Sequence, residues 1–228
     1  MTVTSHIEID RVCNAIFQAI FERRLEPNTR LVETQLAKAL SSNRSNIRQA
    51  LLLLEQRKLV EIVPNKGAIV AEPSEKDAAE VFAARLCIEQ KVLDLVCEQP
   101  KAKELKQLQA HLRKEKQARQ KQDRHRLIDL TGRFHLLLAE IAGNQVLLDF
   151  LSHLVARSSL ILEKYESTGQ NNCSDEDHSE LVDFIANGER EKAQALLTEH
   201  LKAVEQSLNF TQNTQPDDLR EVFASMLT

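Results

Sequence analysis

The chain has 228 residues, 42% hydrophobic and 28% charged, with a net charge of −4, an ordinary composition for a globular chain of one large or two small domains that speaks against wholesale disorder. Only 5 Gly, 5 Pro and 4% aromatic residues argue against a β-sandwich or barrel and for a mainly α fold. No 18-residue apolar run and no basic-plus-apolar leader is seen, so neither a membrane span nor a signal peptide is expected and the expected location is cytoplasmic.

Charge is distributed unevenly. Residues 1–72 hold 10 Lys+Arg against 8 Asp+Glu, leaving 20 against 26 for residues 73–228, so a mildly basic first part precedes an acidic second part. That division suits a nucleic-acid-binding head on a regulatory body. Cys13, Cys87, Cys97 and Cys173 form no C-x-x-C pair and are read as reduced thiols rather than a disulfide framework or a zinc finger.

From Ile7 to about Arg24, apolar residues at Ile9, Val12, Ile16 and Ile20 recur at helical spacing. Leu25-Glu-Pro-Asn-Thr-Arg30 breaks the pattern with a Pro-Asn turn, and Val32–Leu40 reads as a second, short helix. The stretch from Ser41 to Lys58 predicts a third. Ile47, Leu51 and Leu54 form its apolar face, Asn43 its N-cap, and Arg44 and Arg48 lie one turn apart on another face. Two arginines beside Ser45, Asn46 and Gln49 at a helix start supply donors for phosphates and base edges, although in isolation a solvated helix face explains them as well. Leu59–Val63 and Gly67–Val70 are β-favouring runs joined by Pro64-Asn-Lys-Gly67, a hairpin or wing. Three helices and a wing make a winged helix-turn-helix over residues 1–72.

Leu25-x-Pro27, Arg30-Leu31-x-Glu33, Leu36-Ala37, Arg44, Ile47-Arg48-x-Ala50-Leu51, Leu54-Glu55, Leu59-Val60 and Pro64-x-x-Gly67-Ala68-x-Val70 resemble the winged-helix head of the GntR family of bacterial transcription regulators. The resemblance implies that Arg44 and Arg48 contact operator DNA, that Asn43, Ser45 and Asn46 contribute, and that Lys66 and Gly67 at the wing tip reach the minor groove. Five positions depart from the family pattern: Asn28 and Lys58 stand where it has Gly, Ser41-Ser42 where it has Gly-Val, and Asn46 where it has Pro. Asn28 tolerates a left-handed backbone. Lys58 does so only with strain, which predicts a different exit from the third helix. Ser42, Asn43 and Asn46 are expected to set this chain's operator preference apart.

Pro73-Ser74 followed by Glu75-Lys-Asp77 marks a boundary, so residues 73–228 are a second domain. Helical periods cover roughly 75–98, 101–121, 124–142, 145–166, 174–187, 189–209 and 217–227, an all-α bundle. The charges of Lys101–Arg126 are taken as a solvated face behind the stripe Leu105, Leu108, Leu112. His135, His178 and His200 each lie on an apolar stripe of a separate helix. Such histidines are read either as satisfied core residues or as a facial site for Zn²⁺ or Ni²⁺. Arg85 and Arg157 fall on inward stripes too; pairing with Glu89 or another carboxylate and binding of an acidic ligand are both open. His6, His111 and His125 are taken as surface residues.

Arg133-Phe134-His135 with Ala142-Gly143-Asn144, Glu176-x-His178 with Ile185, and Ala193 with His200 resemble the FadR-type C-terminal ligand-binding domain (FCD) of the same family, over essentially residues 75–210. The resemblance implies one divalent ion (Zn or Ni) per subunit on His135, His178 and His200, while the inward stripe positions of Arg85 and Arg157 support an acidic effector, with Thr131 as a further hydroxyl contact. Metal-binding members carry an aspartate one turn before the first histidine, where this chain has Thr131; Asp129 cannot replace it, being about 240° around the helix from His135. Thr131 is therefore expected to weaken the metal site and leave more positive charge for an acid. The expectation is a homodimeric regulator of a pseudo-palindromic double-stranded DNA operator, a repressor of a catabolic or transport operon released by a small carboxylate, and no enzyme. The alternatives are a metal-dependent hydrolase with a three-histidine site and an effector-less dimeric DNA-binding protein.

Overall fold

The computed structural model describes residues 3–64, 67–98, 101–166 and 175–210. Helix α1 (Val3–Phe21), strand β1 (Arg30–Leu31), α2 (Glu33–Ala39), α3 (Arg44–Gln56), β2 (Val60–Val63) and β3 (Gly67–Val70) form the head. Ile47, Leu51 and Leu54 of α3 are fully buried with Ile9, Val12, Ile16 and Ile20 of α1, as their spacing predicts. The Asn43 side chain caps α3 by accepting from the Asn46 backbone N–H at 2.9 Å.

The wing holds one strand more than expected. β3 pairs antiparallel with β2, Val60 opposite Val70, and on its other edge with β1, Arg30 opposite Ile69. Two residues of strand lie too close to the Pro-Asn turn to show a period of their own. Lys58 corrects another expectation: its φ is +58°, so the chain leaves α3 in the left-handed turn that the family fills with glycine. Leu59 N–H bonds Leu54 O and Lys58 N–H bonds Glu55 O, closing the helix end at the cost of strain at Lys58. Ser41 (φ +49°) and Asn28 (φ +67°) hold the same conformation.

The body runs α4 (Glu75–Glu98), α5 (Ala102–Gln120), α6 (Arg124–Ile141), α7 (Gln145–Tyr165), α8 (Asp175–Ala186) and α9 (Arg190–Gln206). Ser74 and Asp77 cap α4 reciprocally. Gly143 and Gly188, both at positive φ, stop α6 and α8 and turn the chain directly into the next helix. Helix α7 is, among the described residues, the one helix long and apolar enough to cross a membrane by length and composition; Leu151, Val155, Ala156 and Leu160 on it are core residues packed with α1, α4 and α6. The expected helix at 217–227 lies outside the described residues.

Head and body share one hydrophobic core, continuous from Ile9 and Leu54 to Leu197 and Leu201. Helix α1 makes it continuous, since it packs on α3 with one side and on α7 with the other. Gly132 of α6 allows the approach: a Cβ there would stand 3.0 Å from Cζ of Phe21.

Candidate functional site: a three-histidine centre beside a cavity

Helices α6, α8 and α9 bring His135, His178 and His200 together. All three are buried, and one ring nitrogen from each lies within 4.8 Å of the others. An ion about 2.1 Å from each imidazole nitrogen holds them roughly 3.4 Å apart in tetrahedral geometry, so closing on one ion asks for small ring movements.

Each ring is oriented from behind by a carboxylate. His135 Nδ1 lies 2.6 Å from Glu89, His178 Nδ1 3.0 Å from Glu115, and His200 Nδ1 3.0 Å from Asp177. With Nδ1–H donating to an ionised carboxylate, the lone pair sits on Nε2, the arrangement that orients metal-ligating histidines. Burial pushes His135 down to about 4 against the pull of Glu89, so its imidazole is neutral at pH 7. Burial opposes ionisation of Glu89, but Arg85 and His135 outweigh it and hold the carboxyl at about 2; at Glu115, His111 and His178 do the same. The hydrogen bond from His200 lowers Asp177. Imidazoles backed by carboxylates suit a borderline-soft divalent cation.

Thr131, one turn before His135, faces a cavity of about 50 Å³ that His135 and His200 also line. Its hydroxyl donates to Ile128 O at 3.0 Å, which leaves the oxygen able to accept. Asp129, as its helical angle requires, points elsewhere and binds Arg126 and Arg133. Arg85, on the cavity wall, donates to Glu89 at 2.8 Å and to Ser158 Oγ at 3.1 Å, while its Nη2 is buried without a hydrogen-bond partner. Internal pairing and a hand left for a ligand thus coexist in this residue.

Arg157 is a correction. It is not on this cavity; it pairs with Asp77 at 3.2 Å in a separate cleft between the wing and α4, because α7 turns it toward the head while Ser158 faces the histidines. His111 is another: its Nε2–H donates to Leu130 O at 2.8 Å, and its side chain is 11% exposed. Sequence reasoning missed Glu115 altogether, since it lies in the stretch taken as a solvated face, yet it is fully buried. The stripe Leu105, Leu108, Leu112 continues by three to Glu115, which was the available signal. Arg23 on the cavity wall was missed in the same way, three residues past Ile20.

In the head, Arg44 and Arg48 project from α3 with side chains 63% and 62% exposed, and both pair with Glu33 of α2. Asn43 and Ser45 are exposed beside them. Asn46 is a correction, for it is buried: two residues from Arg44 on a helix is about 200° around, which turns it to the core side. Gly67 begins β3 at φ +83°, and Lys66 lies outside the described residues.

Residues 8–70 match the family model described as bacterial regulatory proteins, gntR family, and residues 80–203 match that of the FCD domain. The chain is 32% identical over 142 residues to the uncharacterized HTH-type transcriptional regulator YdhC of Bacillus subtilis, covering 62% of this chain and 63% of that protein. It is 26% identical over 133 residues to the HTH-type transcriptional regulator McbR of Escherichia coli, covering 58% and 60%. The chain thus spans about three-fifths of the length of these curated relatives. Two solved structures share the fold: E. coli McbR/YncC (TM-score 0.78, 22% identity, 86% of this chain and 93% of that one) and a GntR regulator from Rhodococcus sp. RHA1 (TM-score 0.77, 20% identity, 91% and 99%). With a GntR head over α1–β3 and an FCD domain over the helices that carry the histidines, the chain belongs to the GntR family of bacterial regulatory proteins.

Proposed function

We propose that this chain is a ligand-responsive transcription regulator acting in the bacterial cytoplasm. It binds a pseudo-palindromic operator as a homodimer and represses a catabolic or transport operon until a small carboxylate enters the body. The observation that carries the reading is the joining of two parts in one core: a helix presenting Arg44 and Arg48, and a cavity walled by buried imidazoles and a buried arginine. A divalent ion on His135, His178 and His200 would supply a fixed positive charge for an acid, with Thr131 and Arg85 beside it. A hydrolytic role would need a carboxylate placed to take a proton from an attacking water. Glu89, Glu115 and Asp177 instead hold the Nδ1 sides of the rings.

Genomic fragments retained by the purified protein, followed by gel shift, test the DNA half. Arg44→Ala and Arg48→Ala each weaken binding by about tenfold or more and reduce its salt dependence by roughly one counterion. Unchanged affinity in both variants would sink the assignment of α3 as the reading helix.

A further inference from the structure

Arg23 belongs to the head, yet its side chain is 3% exposed and lines the body cavity. Its Nη1 meets Glu166 at 3.0 Å and Glu163 at 3.5 Å, while its Nε is buried with no hydrogen-bond partner. Across the same cavity, Arg85 Nη2 is in the same condition. Arg23 and Arg85 thus line one small cavity from the two sides, and each keeps a buried guanidinium N–H without a partner that a small side-chain shift would bring onto an acceptor-only group. Ser158 and Ser159 add hydroxyls to the wall, the latter already bonded to Phe21 O at 2.8 Å.

We infer that a small carboxylate in this cavity is gripped at once by Arg85 of the body and Arg23 of the head, which makes the end of α1 the element that carries the ligand's presence to the DNA-reading helix. This rests on the effector reading above. Arg23 stands at φ +53°, where α1 ends and the chain turns toward β1. Phe21, two residues earlier, packs against Gly132, and Ile9, Val12 and Ile16 farther up the same helix pack with α3. A ligand alters head placement only through a contact that differs between placements; the Arg23 Nε–H bond is such a contact, because it forms only when the α1 end sits at the cavity. The cavity of about 50 Å³ limits the ligand to a few heavy atoms, at roughly 10–15 Å³ for each water-sized group.

The test uses the full chain loaded with zinc, titrated calorimetrically with formate, acetate, glycolate and inorganic phosphate, with amide exchange of α1 followed in parallel. Arg23→Lys keeps the charge opposite Glu166 and lacks the Nε–H; Arg85→Gln removes the other arm. Wild type is expected to bind at least one carboxylate in preference to phosphate and to slow exchange in α1. Arg85→Gln and Arg23→Lys should each weaken that binding about tenfold, and Arg23→Lys should abolish the α1 protection. If wild type binds, Arg85→Gln does not, and Arg23→Lys matches wild type in both readouts, the head arm is wrong while the effector site stands. Failure of wild type to bind any of the carboxylates overturns both, and a preference for phosphate overturns the ligand class. Circular dichroism of Arg23→Lys separates a lost contact from a lost fold.

Discussion

Thr131 and His135 share one face of α6, and the four-residue step between them would let an aspartate at 131 reach an ion held by the histidines. In its present form the site offers three imidazole nitrogens and a hydroxyl already donating to Ile128 O. Thr131→Asp adds a carboxylate to that set. It should tighten zinc by about tenfold or more, worth about 1.4 kcal/mol, and should weaken a carboxylate ligand through like-charge repulsion in the same cavity. Competition with a chromophoric chelator reads the first change and calorimetry the second; equal zinc affinity would mean residue 131 is out of reach of the ion. Glu115 acts from the other side of the centre. Glu115→Gln keeps the shape and an acceptor for His178 Nδ1–H but removes the charge that makes the ring a better donor to metal. A loss of about 10–100-fold in zinc affinity is expected, with little change if His178 is only a core residue.

Helices and wing were legible element by element because each carries its own period and punctuation. Ile47, Leu51 and Leu54 mark the inner face of α3, Ser74 with Asp77 starts α4, and Gly143 and Gly188 end α6 and α8. What stayed hidden were charged residues on apolar stripes. Glu115 and Arg23 look like surface residues until a partner on a distant helix is known, and those partners, His178 and Glu166, are 63 and 143 residues away. The exit of α3 was misjudged for a related reason: tertiary packing of Leu59 and Val60, both buried, holds Lys58 in a conformation its own preference resists. Lys58→Gly should therefore stabilise the chain by up to about 1 kcal/mol, the left-handed penalty offset in part by the added freedom of glycine when unfolded. Asn43→Ala at the opposite end of α3 should cost about 1 kcal/mol through loss of the cap. Urea unfolding measures both, and a destabilising Lys58→Gly would show that the lysine's contacts outweigh its strain.

At the scale of the whole chain, the shared core makes a prediction about cooperativity. Two domains joined by a linker alone unfold independently, so that a ligand of one leaves the other's transition unmoved. Here Phe21 and Val155 meet at Gly132, Ser159 holds Phe21 O, Arg23 pairs with Glu166, and the Tyr165 hydroxyl donates to Pro73 O at 2.8 Å. The first three of these contacts tie α7, the helix beside the histidines, to α1 and its exit, and α1 packs on α3, which presents Arg44 and Arg48. Zinc bound to the body stabilises whatever unfolds with it. The full chain should therefore melt in one transition, raised by zinc and lowered by chelation, with amides of α1 and α3 gaining protection in parallel with those of α6 and α9. Calorimetry with amide exchange checks this: two transitions, the lower one indifferent to zinc, would show that the head is an independent unit and that α1 does not couple it to the metal centre.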